Sequence, residues 1–395
     1  MILDALMLLA GVWGLLLLVY RQPLHARWRE PVLKQPVLIL EGDDWGAGPL
    51  AQAAVLERLR LLLLRHRDGS GQPAIMTLGI VLEVADTQVM ARQPGSYVGM
   101  DLRAPEYAPL RAVMEAGCRE GVFALQLHGQ CHYWPRSLMA AAEHPEVAAW
   151  LYGPSHPRTE DLPSPLQSRW TDASQLPSRE IPAAEVTQAI AQEARLYRDL
   201  FGRAPRVAVP MTFVWNDAVE VAWARMGVRC VVTPGRRYTR READGAPGGV
   251  DKVIGNGQRT QGGMVYVVRD GYFEPALGHA AEDLAAAALR KWRERRPCLV
   301  EMHRFNFLDE AMLESRLQIL DRALHEVSGF LPNLRFLATE ALADDIVRRD
   351  VAWIDQAFTA RLRAWLVRIR ELPRFRKLCL LTGLALPFAL LERAL

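Results

Sequence analysis

Two short segments of the chain end in residues that can hold a divalent metal. Leu38-Ile39-Leu40-Glu41-Gly42-Asp43-Asp44-Trp45-Gly46 runs from apolar residues into a pair of carboxylates. Ala124-Leu125-Gln126-Leu127-His128-Gly129-Gln130-Cys131-His132 runs from apolar residues into two imidazoles with three residues between them. An apolar run of this length that ends at Gly reads as a buried strand and the loop leaving it. Asp and His are the ligand types that zinc and related divalent metals prefer. Three protein ligands with a fourth position open to water make a hydrolytic centre. Taken alone, an Asp-Asp pair is commonly a solvated turn or a helix cap. A lone His-x-x-x-His is commonly two surface histidines one helical turn apart. Their joint occurrence at strand ends is what favours a site. Cys131, inside the second segment, reads as a small packing residue and not as a ligand.

These segments resemble the motifs of the polysaccharide deacetylase family (carbohydrate esterase family 4, the NodB-homology domain), over roughly residues 36–340 and in the family's order. The resemblance implies that Asp43 is the general base and that Asp44, His128 and His132 hold the metal, most simply Zn²⁺. A later family motif is an apolar strand ending in the histidine that serves as general acid. Cys298-Leu299-Val300-Glu301-Met302-His303 matches it and puts His303 in that role. The chain departs from the family where Glu41-Gly42 precede the Asp pair and Trp45-Gly46 follow it. In Arg206-Val207-Ala208-Val209-Pro210 the arginine stands four positions before the proline, so the arginine that should steady the base is not placed. Arg304 is a rival for that job, and Asp270 is a weak candidate for the family's fourth motif.

The chemistry accounts for these residue types. Amide hydrolysis near neutral pH needs a hydroxide-like nucleophile, and a bound metal lowers the pKa of water to ~7. A carboxylate beside it accepts a proton, and a protonated histidine donates one to the leaving amine. Trp45, Tyr133, Trp134 and Arg304 lie next to the motifs and are the candidates for substrate contact, with Trp215 nearby; aromatic faces suit sugar rings but pack rims equally well.

Strand-like runs fall near 36–41, 73–81, 122–127, 206–210, 228–233, 264–268, 298–302 and 334–338. Helix-like runs fall near 49–66, 104–119, 183–200, 216–226, 280–295, 309–328 and 340–349. This alternation predicts a parallel α/β architecture, a (β/α) barrel that is distorted or incomplete, over residues 35–349. Catalytic groups of such barrels gather at the C-terminal ends of the strands, where these motifs sit. Proline-rich residues 133–181 and Gly/Arg/Asp-rich residues 234–263 read as insertions forming rims over the cleft.

The chain has 395 residues, half of them hydrophobic, with a net charge of only +3. That length holds one large barrel plus extras, and the charge gives no reason to expect nucleic acid. No Gly-rich phosphate loop suggests a nucleotide cofactor. Five scattered cysteines read as thiols of a reducing compartment.

Both ends point to lipid. Ile2 to Tyr20 carries a single charge, Asp4, and as a helix spans about 29 Å, close to a bilayer core. Residues 1–24 therefore read as a membrane anchor. The flank with Arg21, Arg27, Arg29 and Lys34 places the barrel in the cytoplasm; the alternative is an exported, periplasmic enzyme behind a signal peptide. Residues 350–395 read as basic amphipathic helices with a short apolar tail, either lying in the plane of an anionic leaflet or packed on the barrel. The expected function is a membrane-associated, metal-dependent N-deacetylase acting on an amino sugar that is lipid-linked, nucleotide-linked or part of a polysaccharide. Rival readings are a metal-dependent hydrolase of another bond on the same barrel, such as a glycosidic bond, with Glu41 and Glu274 as the extra carboxylates, and a non-catalytic barrel that recruits partners at a membrane.

Overall fold

The computed structural model describes residues 2–93, 95–153 and 155–395. Its main sheet has nine strands among the described residues. They are β1 (Val37–Gly46), β2 (Met76–Val81), β3 (Phe123–Leu127), β4 (Val207–Ala208), β5 (Cys230–Thr233), β6 (Val265–Val268), β7 (Gly271–Tyr272), β8 (Cys298–His303) and β9 (Arg335–Phe336). The order across the sheet is β6-β5-β4-β3-β2-β1-β8-β7, with β9 also on β1, and the pairings are parallel.

The two edges of this path are halves of one run. Val268 pairs with β5 and Gly271 pairs with β8, and only Arg269 and Asp270 lie between them. Three residues of chain reach at most about 11 Å. The sheet is therefore curled so that its edges meet at Arg269, as a (β/α) barrel requires. Seven helices connect the strands: Gln52–Leu63, Ala108–Arg119, Ala183–Phe201, Asp217–Arg225, Ala281–Arg293, Glu310–Phe330 and Thr339–Arg348. The strand β7 has no counterpart in the sequence reading, because two residues are too short to carry a period.

Strand alternation sorts the core. Leu38 and Leu40 pack outward with Leu56, Leu59 and Leu320 of the helices. Val37 and Ile39 pack inward with Val209, Val232, Val267 and Leu299. The same parity continued along each strand brings Glu41, Asp43, Arg269, Glu301 and His303 inward, above that apolar layer. The barrel interior is thus apolar below and charged above.

The insertion at 133–181 is ordered and packed on the core. It forms helices Pro135–Ala140 and Pro145–Leu151, each opened by a proline that lacks only an N–H the first turn does not use. Its Trp150, Leu151, Leu162 and Leu166 belong to the main core. Residues 234–263 form two short antiparallel ribbons, Arg236–Arg237 with Lys252–Val253 and Arg240–Arg241 with Pro247–Gly248.

The expected single spanning helix is corrected. The first helix, Ile2–Val19, stops and the chain turns by 65° into Arg21–Arg29. Pro23 explains the break, since its ring would collide with the carbonyl of Val19 in a continuous helix. Among the described residues no single helix is long and apolar enough to cross a membrane, and only the bent pair Met7–Val19 with Arg21–Arg29 meets length and apolarity together. At the other end, helices Phe358–Arg368, Pro373–Leu381 and Ala385–Ala394 pack with the first two through Leu16, Leu24, Leu366, Phe375 and Leu384.

Candidate metal centre

A regular strand would send Asp43 and Asp44 to opposite faces. β1 avoids this with a bulge. Its register to β2 shifts by one residue between Gly42 and Trp45, and Asp44 takes a left-handed φ of 69°. Asp is among the few residues that tolerate that region, at a cost of about 1–2 kcal/mol. The bulge re-aims Asp44 so that both carboxylates serve one site. Gly79 on β2 makes room for the first: a Cβ there would lie 2.5 Å from Asp43 Oδ1.

Asp44, His128 and His132 converge. Asp44 Oδ1 lies 3.3 Å from His128 Nε2 and 3.2 Å from His132 Nε2, and the three side chains are buried. Ligands tetrahedrally bound at ~2.0–2.1 Å stand about 3.3 Å apart, so the spacing suits a zinc-sized cation. His128 Nδ1 lies 3.1 Å from the carbonyl of Val209, which fixes the ring and turns the lone pair of Nε2 to the site. Asp44 Oδ1 has no hydrogen bond although buried, an expensive state unless a cation completes it. Burial by itself would raise the Asp44 pKa, but the imidazoles of His132 and His128 outweigh it and hold the carboxyl well below its usual range. The donor set fits a divalent metal.

Asp43 on β1 and His303 on β8, the residues expected as base and acid, are register partners. Arg269 Nη2 donates to Asp43 Oδ2 at 2.6 Å and approaches Glu301 Oε2 at 3.0 Å, while its Nη1 donates to Glu41 Oε2 at 2.8 Å. Burial pushes Asp43 up, yet the guanidinium, helped by His128, brings it below the ordinary carboxylate value. Glu41 and Glu301, for which burial dominates, are raised. Glu274 accepts from His303 Nδ1 at 2.6 Å and is also held by Asn306. Burial would lower the His303 pKa, but the Glu274 hydrogen bond and the charges of Asp44 and Glu301 raise it to about 10. His303 therefore carries a proton at neutral pH, as a general acid must. Asp43, Glu301 and His303 are also close enough together to hold a cation, but the Arg269 guanidinium already bridges two of them.

Arg269 and Glu274 are thus the groups that hold Asp43 and His303 in place, and the sequence reading assigned neither to that job. Glu274 was visible only as a spare carboxylate. Asp270, the residue singled out instead, turns outward to Lys291 at 2.7 Å. Arg206, just before β4, faces Glu340 at 3.5 Å. Arg304 is fully buried and committed to Glu160 through bonds of 2.8 and 2.9 Å, with further contacts to Thr159 and the Ala47 carbonyl. These bonds go to groups other than Asp43, and the side chain is withdrawn from solvent, which is why the structure does not favour it for either job the sequence offered.

Trp45 and Tyr133 are corrected as substrate contacts as well. Both are fully buried. Trp45 lies under Gly42, where a Cβ would come within 2.7 Å of its Nε1. Tyr133 Oη accepts from the Ala85 N–H at 2.8 Å and contacts Tyr97 Oη at 3.1 Å. Trp134 is nearly buried and borders a cavity of about 310 Å³ with Glu83, Tyr97, Gln130 and Arg169. Trp215 is buried with its Nε1 on Glu220. Cys131 takes the packing role expected of it: its Sγ faces Arg169 and the Tyr133 carbonyl, and burial pushes its thiol up to about 11. The aromatic surfaces at the site are Phe305, stacked on His303 at 5.5 Å, and Phe213, over Arg269 at 5.4 Å.

No family model matches the chain, and no curated protein sequence does. Solved structures similar to it include a family 4 carbohydrate esterase from Streptomyces lividans in complex with acetate, with 11% identity, a TM-score of 0.34, and coverage of 78% of this chain and 95% of that one. A family 4 acetyl xylan esterase from Clostridium thermocellum in complex with a cobalt ion gives 12% identity, a TM-score of 0.35, and 78% and 89% coverage. A 4-alpha-glucanotransferase from Thermococcus litoralis gives 8%, 0.39, and 87% and 48%. Likeness at this level, shared by enzymes of different chemistry, leaves the functional argument to the residues.

Proposed function

We propose that the protein is a metal-dependent hydrolase that removes an N-acyl group, most simply acetyl, from an amino sugar. The observation that carries this reading is the convergence of three metal-type ligand atoms beside Asp43, paired with Arg269, and His303, paired with Glu274. Asp44, His128 and His132 would hold the cation, Zn²⁺ by donor type. Bound there, it would acidify a water molecule and polarise the amide carbonyl.

The chain's own groups then have distinct tasks. Asp43 accepts the proton of the attacking water, and Arg269 keeps it ionised and still. His303 donates its proton to the nitrogen as the C–N bond breaks, and Glu274 keeps it charged and oriented. A new C–O bond forms, and acetate and a free amine leave. The glycosidase reading needs two carboxylates flanking a sugar bond. Glu41 is fully buried under Arg269 and Thr339, and Glu274 is spent on His303 and Asn306, which disfavours it.

Zinc content and acetate release test the reading. Purified protein should bind one metal per chain and release acetate and amine in equal amounts from an N-acetylated amino sugar. Chelation should stop the reaction and zinc should restore it. Metal-loaded protein that releases no acyl group from soluble, nucleotide-linked or lipid-linked amino sugars would overturn the proposal. Release of a reducing sugar end would favour the glycosidase instead.

A further inference from the structure

The two chain ends, far apart in sequence, are packed together. Trp13 Nε1 donates to the Thr382 carbonyl at 2.9 Å, Trp365 Nε1 to the Leu24 carbonyl at 2.9 Å, and Arg361 to the Trp28 carbonyl at 3.2 Å. This unit is clamped to one end of the barrel. Buried Arg368 binds the carbonyls of Glu30, Pro31, Glu294 and Arg295, in the segments that lead into β1 and β8. Arg296 pairs with Glu30 at 2.6 Å and also with Glu371. All of these contacts lie at the N-terminal ends of the strands, whereas the metal ligands lie at or beyond the C-terminal ends. Val37 to Asp43 is six residues, roughly 20 Å along a strand and about 16 Å along a tilted barrel axis.

The outer face of the unit is apolar and basic. Leu3, Met7, Leu8, Leu15, Leu18 and Val19 of the first helix are exposed. So are Leu380, Leu381, Leu386, Leu390 and Leu391 of the last two. Residues 1–29 and 358–395 together hold eleven Lys and Arg against three Asp and Glu, a net +8; the residues between hold 37 against 42, a net −5. An apolar face bordered by cations on a body of opposite charge is complementary to an anionic lipid surface.

We propose that the joined ends seat this molecule on an anionic bilayer with the metal centre facing away from it. The substrate is then an amino sugar or glycan delivered from the aqueous side, and not a sugar lipid embedded in the supporting leaflet. The orientation stands on packing and charge alone; the substrate clause rests on the hydrolase reading above.

The test uses the full chain and vesicles of phosphatidylcholine with or without phosphatidylglycerol. Binding should require the anionic lipid. Arg374→Glu/Arg376→Glu/Lys377→Glu should weaken it on the order of 100-fold. In a Cys118→Ser background, a fluorophore on Leu381→Cys should be quenched by spin-labelled lipid, and one on Leu277→Cys, beside Glu274, should not. Quenching at 277, or binding indifferent to the triple reversal, would overturn the orientation. Acetate release is then compared for a soluble N-acetylglucosamine oligosaccharide and an N-acetylglucosaminyl lipid in the same vesicles. Activity on the soluble substrate alone supports the inference, and activity on the lipid, alone or as well, overturns its substrate clause. Activity on neither sinks the hydrolase reading and leaves the orientation to be judged by the quenching.

Discussion

Removing Arg269 should expose how the barrel interior is balanced. Its guanidinium contacts Glu41, Asp43 and Glu301 at 2.8, 2.6 and 3.0 Å. Arg269→Met leaves three buried carboxylates facing an apolar stem. Removing one partner of a buried ion pair typically costs ~3–5 kcal/mol, and two unit charges 4 Å apart repel by ~4 kcal/mol at an effective dielectric of 20. We therefore expect a loss of about 4 kcal/mol at pH 7, read by urea denaturation. The sign of the pH dependence follows from Glu41 and Glu301, whose folded pKa values burial already raises and which losing the guanidinium raises further. The protonated forms favour folding below the unfolded values near ~4, and that advantage disappears as pH rises through the folded values. The variant should thus recover stability relative to wild type as pH is lowered from 7 to 5. Adding Glu41→Gln should recover part of the loss at pH 7. A variant within ~0.5 kcal/mol of wild type at both pH values would refute the claim that Arg269 neutralises this cluster.

Asp44→Ala and His132→Ala should lose zinc and activity together, while Asp43→Asn should keep zinc and lose ~10²–10⁴-fold in kcat; equal zinc loss in all three, by elemental analysis, would overturn the division of roles within the Asp pair. The alkaline limb of the kcat profile should lie above the ordinary histidine range and at or below about 10, because the proton of His303, the proposed acid, is lost as pH rises through its raised pKa. A bound cation draws on the Asp44 charge and lowers that limb somewhat, and Glu274→Gln should drop it toward the ordinary range. Tyr133→Phe should cost about 1–2 kcal/mol in denaturant, for the bond lost to the Ala85 N–H, and leave KM unchanged. A several-fold rise in KM would restore Tyr133 as a substrate contact.

The residues that could be read from the chain are those whose role is set locally. An apolar run ending in Asp-Asp or His places a ligand at a strand end whatever surrounds it, and all eight strand runs and seven helix runs recur as elements of the barrel. What folding alone decided is long-range. Arg269 meets Asp43 and Glu41 across 226 and 228 residues, and no spacing in the sequence announces a contact made by closing a sheet on itself. The side-chain direction of Asp44 depends on a bulge and a left-handed φ. Trp45, Tyr133 and Arg304 stand next to the motifs in sequence but were turned into the core, since neighbouring strand and loop positions face opposite ways. The bent N-terminal helices and the C-terminal ones read as separate apolar segments. Only packing showed them to be one unit, seated at the barrel end opposite Asp44, His128 and His132, because adjacency in space depends on which strand ends the chain returns to.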